Sequence, residues 1–128
     1  MPESKRENRT GGFRPEAVFR IRGNKIFWGP GLMELMRRID ETGSIRSAAA
    51  EMFMSYAKAR RLIALAEAEL GFRIINTRKG GTSHGGASLS EKGKCYLLCC
   101  SAIQNAVQDY CEEQYNLFFG DESSHSIP

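Results

Sequence analysis

The chain has 128 residues, 41% of them hydrophobic and 26% charged, with a formal net charge of +3, and that length suits one domain around one core. Its apolar runs are as short as Tyr96–Ser101, against the roughly 18 residues of a membrane span, so a span is excluded. The polar first twenty residues lack the apolar stretch of a secretory signal, so a cytoplasmic protein with reduced cysteines is expected.

Residues 1–15, MPESKRENRTGGFRP, are charged and glycine-containing with almost nothing apolar, and predict a flexible basic arm. From Ala17 to Trp28 apolar and basic residues are interleaved around Gly23-Asn24, the signal of a short hairpin. Gly29-Pro30-Gly31 ends it, and Pro30 suits a first helical turn. Leu32, Leu35, Met36 and Ile39 then form one apolar stripe of a helix that runs to about Thr42 and stops at Gly43.

Ser44 is placed to cap a second, two-turn helix from Ile45 to about Met52, whose Ala48-Ala49-Ala50 triplet admits another helix closely. After a break at Phe53-Met54, Ser55 caps a third helix reaching Leu70, with Gly71 as terminator. Short helix, tight turn and longer helix make the supersecondary pattern of a DNA-reading unit. Phe72 to Leu89 reads as two short strands around the glycine-rich GGTSHGGA loop. Ser90 caps a final helix in which Tyr96, Cys100, Ile103, Val107, Tyr110 and Leu117 follow a heptad broken only at Gln114. The organisation expected is an arm (1–15), a winged body (16–89), a dimerisation helix (90–119) and a disordered tail (120–128).

On the third helix Ala59, Leu62, Ile63, Ala66 and Leu70 point one way, leaving Ala57, Arg61 and Ala64 opposite, flanked by Lys58 and Arg60. Small residues let a helix settle into a major groove, and an arginine there can bond guanine at two acceptors, which makes Arg61 the base-reading candidate. Alternatively, Lys58, Arg60 and Arg61 form a solvated face with intrahelical pairs. Ser44 and Ser55 favour the first reading, since donors at two helix starts suit phosphates. Tyr56 fits either a DNA contact or packing on its own domain.

All 18 Lys and Arg residues lie at or before position 94 with 10 of the 15 acids, while positions 95–128 hold five acids and no base. A basic body of this kind suits a polyanion partner. The glycine loop has neither the GK[ST] ending of a phosphate-binding loop nor a βαβ setting, so a wing fits better than a nucleotide site. Arg78, Lys79, Gly80, Gly81, Thr82, Gly85 and Gly86 are its candidate DNA contacts; a disordered hairpin tip is the plainer alternative.

Cys95 and Cys99 share a helical face near Cys100 and Cys111, but His84 and His125 are isolated, so structural thiols are expected, with no metal and no cofactor. A thiol- or metal-responsive sensor stays open as an alternative. No Ser/His/Asp set or paired carboxylates indicate an enzyme. Tyr96, Cys100, Ile103, Val107 and Tyr110 predict the seam of a homodimer, which would present two reading helices to one face of double-stranded DNA.

Two stretches, GPGLMELMRRIDETGSIRSAAAEMFMSYAKARRLI and GGTSHGGASLSEKGK, resemble the DNA-binding domain of the molybdate-responsive ModE regulators, itself similar to the LysR-type reading head. The likeness covers about Val18 to Leu98. It implies a winged helix-turn-helix, mainly α with small β-hairpins and a long C-terminal dimerisation helix, acting as a transcription regulator at operator DNA. It also carries a DNA-contact role onto Ser55, Tyr56 and the Gly80–Ala87 wing. Ala57, Arg60 and Thr82 depart from the family pattern, so no operator sequence is carried over. The β-rich molybdate domains of that family have no counterpart here, so no molybdate site is expected. A protein-interaction or architectural winged-helix module is the second reading.

Overall fold

The elements follow from local signals in the order read above. The computed structural model describes residues 12–78 and 86–120. In chain order they are β1 (Ile21–Arg22), β2 (Ile26–Trp28), α1 (Pro30–Thr42), α2 (Ile45–Glu51), α3 (Tyr56–Leu70), β3 (Ile75–Arg78), β4 (Gly86–Leu89) and α4 (Glu91–Phe119). Both sheets are antiparallel pairs, β1 with β2 and β3 with β4. The result is a mainly helical winged helix-turn-helix with a long C-terminal helix.

Pro30 occupies the first turn of α1, and Gly43 closes the helix at φ 74°, donating its amide to the Ile39 carbonyl at 2.8 Å. Ser44 Oγ accepts from Ser47 N at 2.9 Å and Ser55 Oγ from Lys58 N at 3.0 Å, so both hydroxyls satisfy helix-start donors that would otherwise be unpaired. Gly71 ends α3 at φ 83°. Between α2 and α3, Phe53 takes the left-handed conformation at φ 55°, and Met54 N donates back to the Ala49 carbonyl at 3.0 Å.

Two compact units emerge. In residues 20–101, the α1 stripe of Leu32, Met33, Leu35, Met36 and Ile39 is buried against Ile45, Ala48 and Ala49 of α2 and Ala59, Ile63 and Ala66 of α3. Four fully buried alanines, Ala48, Ala49, Ala59 and Ala66, line this junction; of the expected Ala48-Ala49-Ala50 triplet, Ala50 is exposed. Trp28 lies edge-on to Tyr96 with ring centroids 4.9 Å apart, and Phe72 meets the same tyrosine at 6.0 Å.

The wing is held by side chains as well as by its own register of Ile75 opposite Leu89 through Arg78 opposite Gly86. Glu67 Oε2 accepts from Ile74 N at 2.8 Å and Ile75 N at 3.2 Å. Ala87 N donates to the Gly43 carbonyl, and Ser90 N to the Ile74 carbonyl, each at 2.9 Å. Ser90 Oγ caps α4 by accepting from Gly93 N at 2.9 Å while donating to the Arg73 carbonyl at 2.6 Å. A side chain at Gly93 would overlap the Ile74 carbonyl oxygen, so only glycine permits this approach.

The other unit combines residues up to Phe19 with those from Ala102 onward. Here the chain runs extended and is gripped by two glutamines one helical turn apart. Gln104 accepts from Phe19 N and donates to the Ala17 carbonyl; Gln108 accepts from Ala17 N and donates to the Pro15 carbonyl, at 2.8–2.9 Å. Glu112, 7% exposed, takes bonds from Gln108 at 2.7 Å and Arg14 at 3.3 Å. The anticipated strand therefore shortens to Ile21–Arg22, because the backbone before it is spent on glutamines instead of a hairpin partner. Arg14 and Pro15, read as part of a loose arm, are bound; residues 1–11 lie outside the described residues.

Candidate nucleic-acid interface

α3 divides as the pattern requires. Ala59, Ile63 and Ala66 are buried, while Tyr56, Ala57, Lys58, Arg60 and Arg61 are exposed on the outer side of the same helix. Leu62 and Leu70, expected on the inner stripe, are only partly covered. Among the described residues, Lys58, Arg60 and Arg61 form no ion pair, and the intrahelical contact on this face is that of Arg60 with the Tyr56 phenol one turn earlier. The contrast is with α1, where Arg38 bonds Glu34 at 2.7 Å and Glu51 at 3.0 Å. Those two hydrogen bonds, Glu34 first, raise the Arg38 pKa further above its ordinary value.

Tyr56 is both exposed and in contact with neighbouring side chains. It is 37% exposed, and the guanidinium carbon of Arg46 lies 4.2 Å from its ring centroid. Arg60 approaches the hydroxyl end, its carbon 5.9 Å from the centroid and its Nη1 3.5 Å from the phenol oxygen. Arg46 was not among the expected site residues. Its only sequence signal is a base beside the Ser44 cap, since its partner stands on another helix.

On the wing, Arg78 is exposed at the end of β3, and its guanidinium lies along Gly86, where an added Cβ would come within 2.6 Å of Nη2. Glycine thus leaves room for the arginine to lie across the neighbouring strand. Lys79, Gly80, Gly81, Thr82 and Gly85 fall outside the described residues.

Of the residues expected at a dimer seam, Tyr96 and Cys100 are spent on the chain's own core. Tyr96 packs on Trp28 and Phe72, and Cys100 is 4% exposed. Cys100 is thus covered by its own chain while Tyr96 stays half-buried: an apolar heptad position records burial without saying what covers it. Ile103, Val107, Tyr110 and Leu117 are 43%, 39%, 63% and 59% exposed.

All four cysteines are free thiols. Burial, with Cys99 nearby as a smaller cause, pushes Cys100 up to about 11; it stays protonated and unreactive at neutral pH. Cys95 and Cys99 are exposed. Among the described residues no group of three or more metal-ligating side chains converges, and no helix is long and apolar enough to cross a membrane.

Residues 31–94, half of the chain, match the family described as bacterial regulatory helix-turn-helix protein, lysR family. Among solved structures, the chain is similar to the DNA-binding domain of CbnR in complex with DNA, at 20% identity and a TM-score of 0.54, covering 66% of this chain and 92% of that one. It is also similar to a LysR family transcriptional regulator, at 21% identity and a TM-score of 0.51, over 67% of this chain and 28% of that one. No curated protein sequence matches it. At these identities the structures speak for the fold alone.

Proposed function

This chain belongs to the lysR family of bacterial regulatory helix-turn-helix proteins, and from that membership we propose that it is a sequence-specific transcription regulator that binds operator DNA as a homodimer. The observation that carries the reading is the outer face of α3, where Tyr56, Ala57, Lys58, Arg60 and Arg61 stand exposed on a helix anchored by Ala59, Ile63 and Ala66. A helix fixed on one side and basic on the other, capped by Ser55 at its start, is what entry into a major groove demands. Arg61 reads a base. Lys58, Arg60 and the donors at Ser44 and Ser55 reach phosphates, because a hydroxyl that accepts one bond still has a hydrogen to donate. Arg78, Gly86 and the wing residues Lys79, Gly80, Gly81, Thr82 and Gly85 take the flanking backbone.

Within the family, the GPG, DETGSI, AAA and MSY segments support a ModE-like reading head. The dimer seam runs along Ile103, Val107, Tyr110 and Leu117, whose spacings of four, three and seven keep them on one stripe. A twofold through it would set two α3 helices about one DNA turn apart, roughly 34 Å. Work at operator DNA places the protein in the cytoplasm.

Selection of bound sequences from a random duplex pool, followed by titration of the enriched site against salt, tests this. The expected result is a symmetric site, affinity that falls steeply with salt, and Arg61→Ala lowering operator affinity about tenfold while relaxing one base position. Equal affinity for every duplex would move the chain to the architectural reading, and an asymmetric single site would remove the dimer.

A further inference from the structure

Arg46 is the second residue of α2, exposed, with no ion-pair partner among the described residues. Its guanidinium lies 4.2 Å from the centre of the Tyr56 ring, and Arg60 stands at the hydroxyl end of the same ring, 5.9 Å from that centre. We propose that Arg46 and Arg60, both held by Tyr56, form a binding site for one backbone phosphate of duplex DNA. The proposal rests on the DNA-reading function above and assigns Arg46 a contact and Tyr56 a positioning role within it.

A guanidinium stacked on an aromatic face keeps its N–H donors in its own plane, directed outward from the ring edge. Stacking therefore fixes the side chain without consuming the bonds a phosphate would take, and it removes rotamer freedom before the ligand arrives. A phosphodiester offers two unesterified oxygens, which suits two fork-shaped donors better than one. The placement favours phosphate over a base. In a helix-turn-helix the first helix of the motif crosses the backbone while the second enters the groove, and Arg46 belongs to the first. Arg46 and Arg60 thus come from opposite sides of the Met52–Ser55 turn, with the Tyr56 ring between the two helices' contributions.

A backbone contact carries no sequence information, which makes the proposal separable from base reading. The full chain is titrated with its pool-selected operator and with a random duplex at several salt concentrations. Thermal unfolding is recorded for each variant. Arg46→Ala is expected to weaken both duplexes alike, by about five- to tenfold, and to reduce the slope of log affinity against log salt by about 1. Arg46→Gln, which keeps part of the methylene stem and a polar head but no charge, should behave the same way. Tyr56→Phe keeps the ring and should stay within about twofold of the parent, whereas Tyr56→Ala should lose several-fold, and much less in the Arg46→Ala background.

Unchanged affinity and slope in Arg46→Ala would overturn the site. So would an altered ratio of operator to random binding, which marks a base contact, or a Tyr56→Phe loss as large as that of Tyr56→Ala, which makes the hydroxyl the contact. If the parent protein itself shows no salt-dependent duplex binding, the DNA-reading function fails; if the parent binds and Arg46→Ala is silent, only the phosphate site does.

Discussion

Glu67 ties the reading helix to the wing, and removing it has a cost that can be worked from the structure. One oxygen, Oε2, accepts from Ile74 N at 2.8 Å and from Ile75 N at 3.2 Å, and both isoleucines are essentially buried. Glu67→Ala leaves two amide donors without that acceptor, at about 1–3 kcal/mol each when water cannot replace it. The carboxylate is only partly covered, so water recovers some of the loss and the expected sum is about 2–4 kcal/mol. Glu67→Gln keeps an oxygen in place and exchanges charged bonds for neutral ones, a loss nearer 1 kcal/mol. At roughly 4 °C per kcal/mol for a chain of this size, the midpoint falls by about 8–16 °C for alanine and about 4 °C for glutamine. Circular dichroism melts measure both, and hydrogen exchange at Ile74 and Ile75 locates the effect. An alanine variant that melts within 2 °C of the parent, or no lower than the glutamine variant, would refute the tether (about 0.5 kcal/mol being the resolution of the argument).

Phe53 holds φ 55° with its ring 98% exposed, so Phe53→Gly relieves the left-handed conformation and gives up no burial. A gain of about 0.5–1 kcal/mol in urea unfolding is expected once the freer unfolded glycine is counted. Gly93→Ala drives a methyl into the Ile74 carbonyl oxygen, a backbone atom that cannot turn aside, and should cost at least about 2 kcal/mol in the same assay. Cys100 has its folded pKa raised to about 11, chiefly by burial, from an ordinary value of 9.0. Its contribution to stability is therefore complete below pH 9, declines above it and is gone past pH 11. Cys100→Ala should flatten the fall in melting temperature across that window, and iodoacetamide at pH 8 should label Cys95 and Cys99 while sparing Cys100, as read by mass spectrometry.

The helix boundaries were legible because their causes are local. Pro30 suits the first turn of α1 because its missing amide hydrogen would be unpaired there, while Ser44 and Ser55 start helices and Gly43 and Gly71 stop them through bonds to residues three or four positions away. The outer face of α3 was legible for a similar reason, since helical period alone separates Arg61 from Ile63. What escaped the sequence depends on distant partners. Arg46 acquires its meaning from Tyr56 on the next helix, and Tyr96 and Cys100 sit in an apolar repeat that a partner helix and a local core would fill identically. Phe53 was read only as a break; nothing in a phenylalanine announces the left-handed conformation that its neighbours impose. Glu67, Gln104 and Gln108 carry no signal at all, being polar residues that read as solvated face until the backbone they bind is known.

Glu67 and Ser90 explain how so little sheet supports a defined wing. A lone two-stranded hairpin is marginal in water, and both sheets here are of that kind, with strands of two to four residues. Main-chain groups that a third strand would satisfy are met instead by side chains: Glu67 of α3 for the entry to β3, and Ser90, the cap of α4, for the Arg73 carbonyl. Gln104 and Gln108 do the same for Pro15 through Phe19, bonding alternate residues as a neighbouring strand would. A helix can offer such an edge because residues four apart lie one above the other, about 6 Å along the axis, close to the spacing of every second residue in an extended chain. The wing's orientation is then set by Glu67 on the very helix that carries Arg61, so the two surfaces proposed to meet DNA are referenced to one rigid element. A change that loosens Glu67 should therefore weaken wing and helix contacts together, whereas truncating Arg78 should leave base discrimination by Arg61 intact.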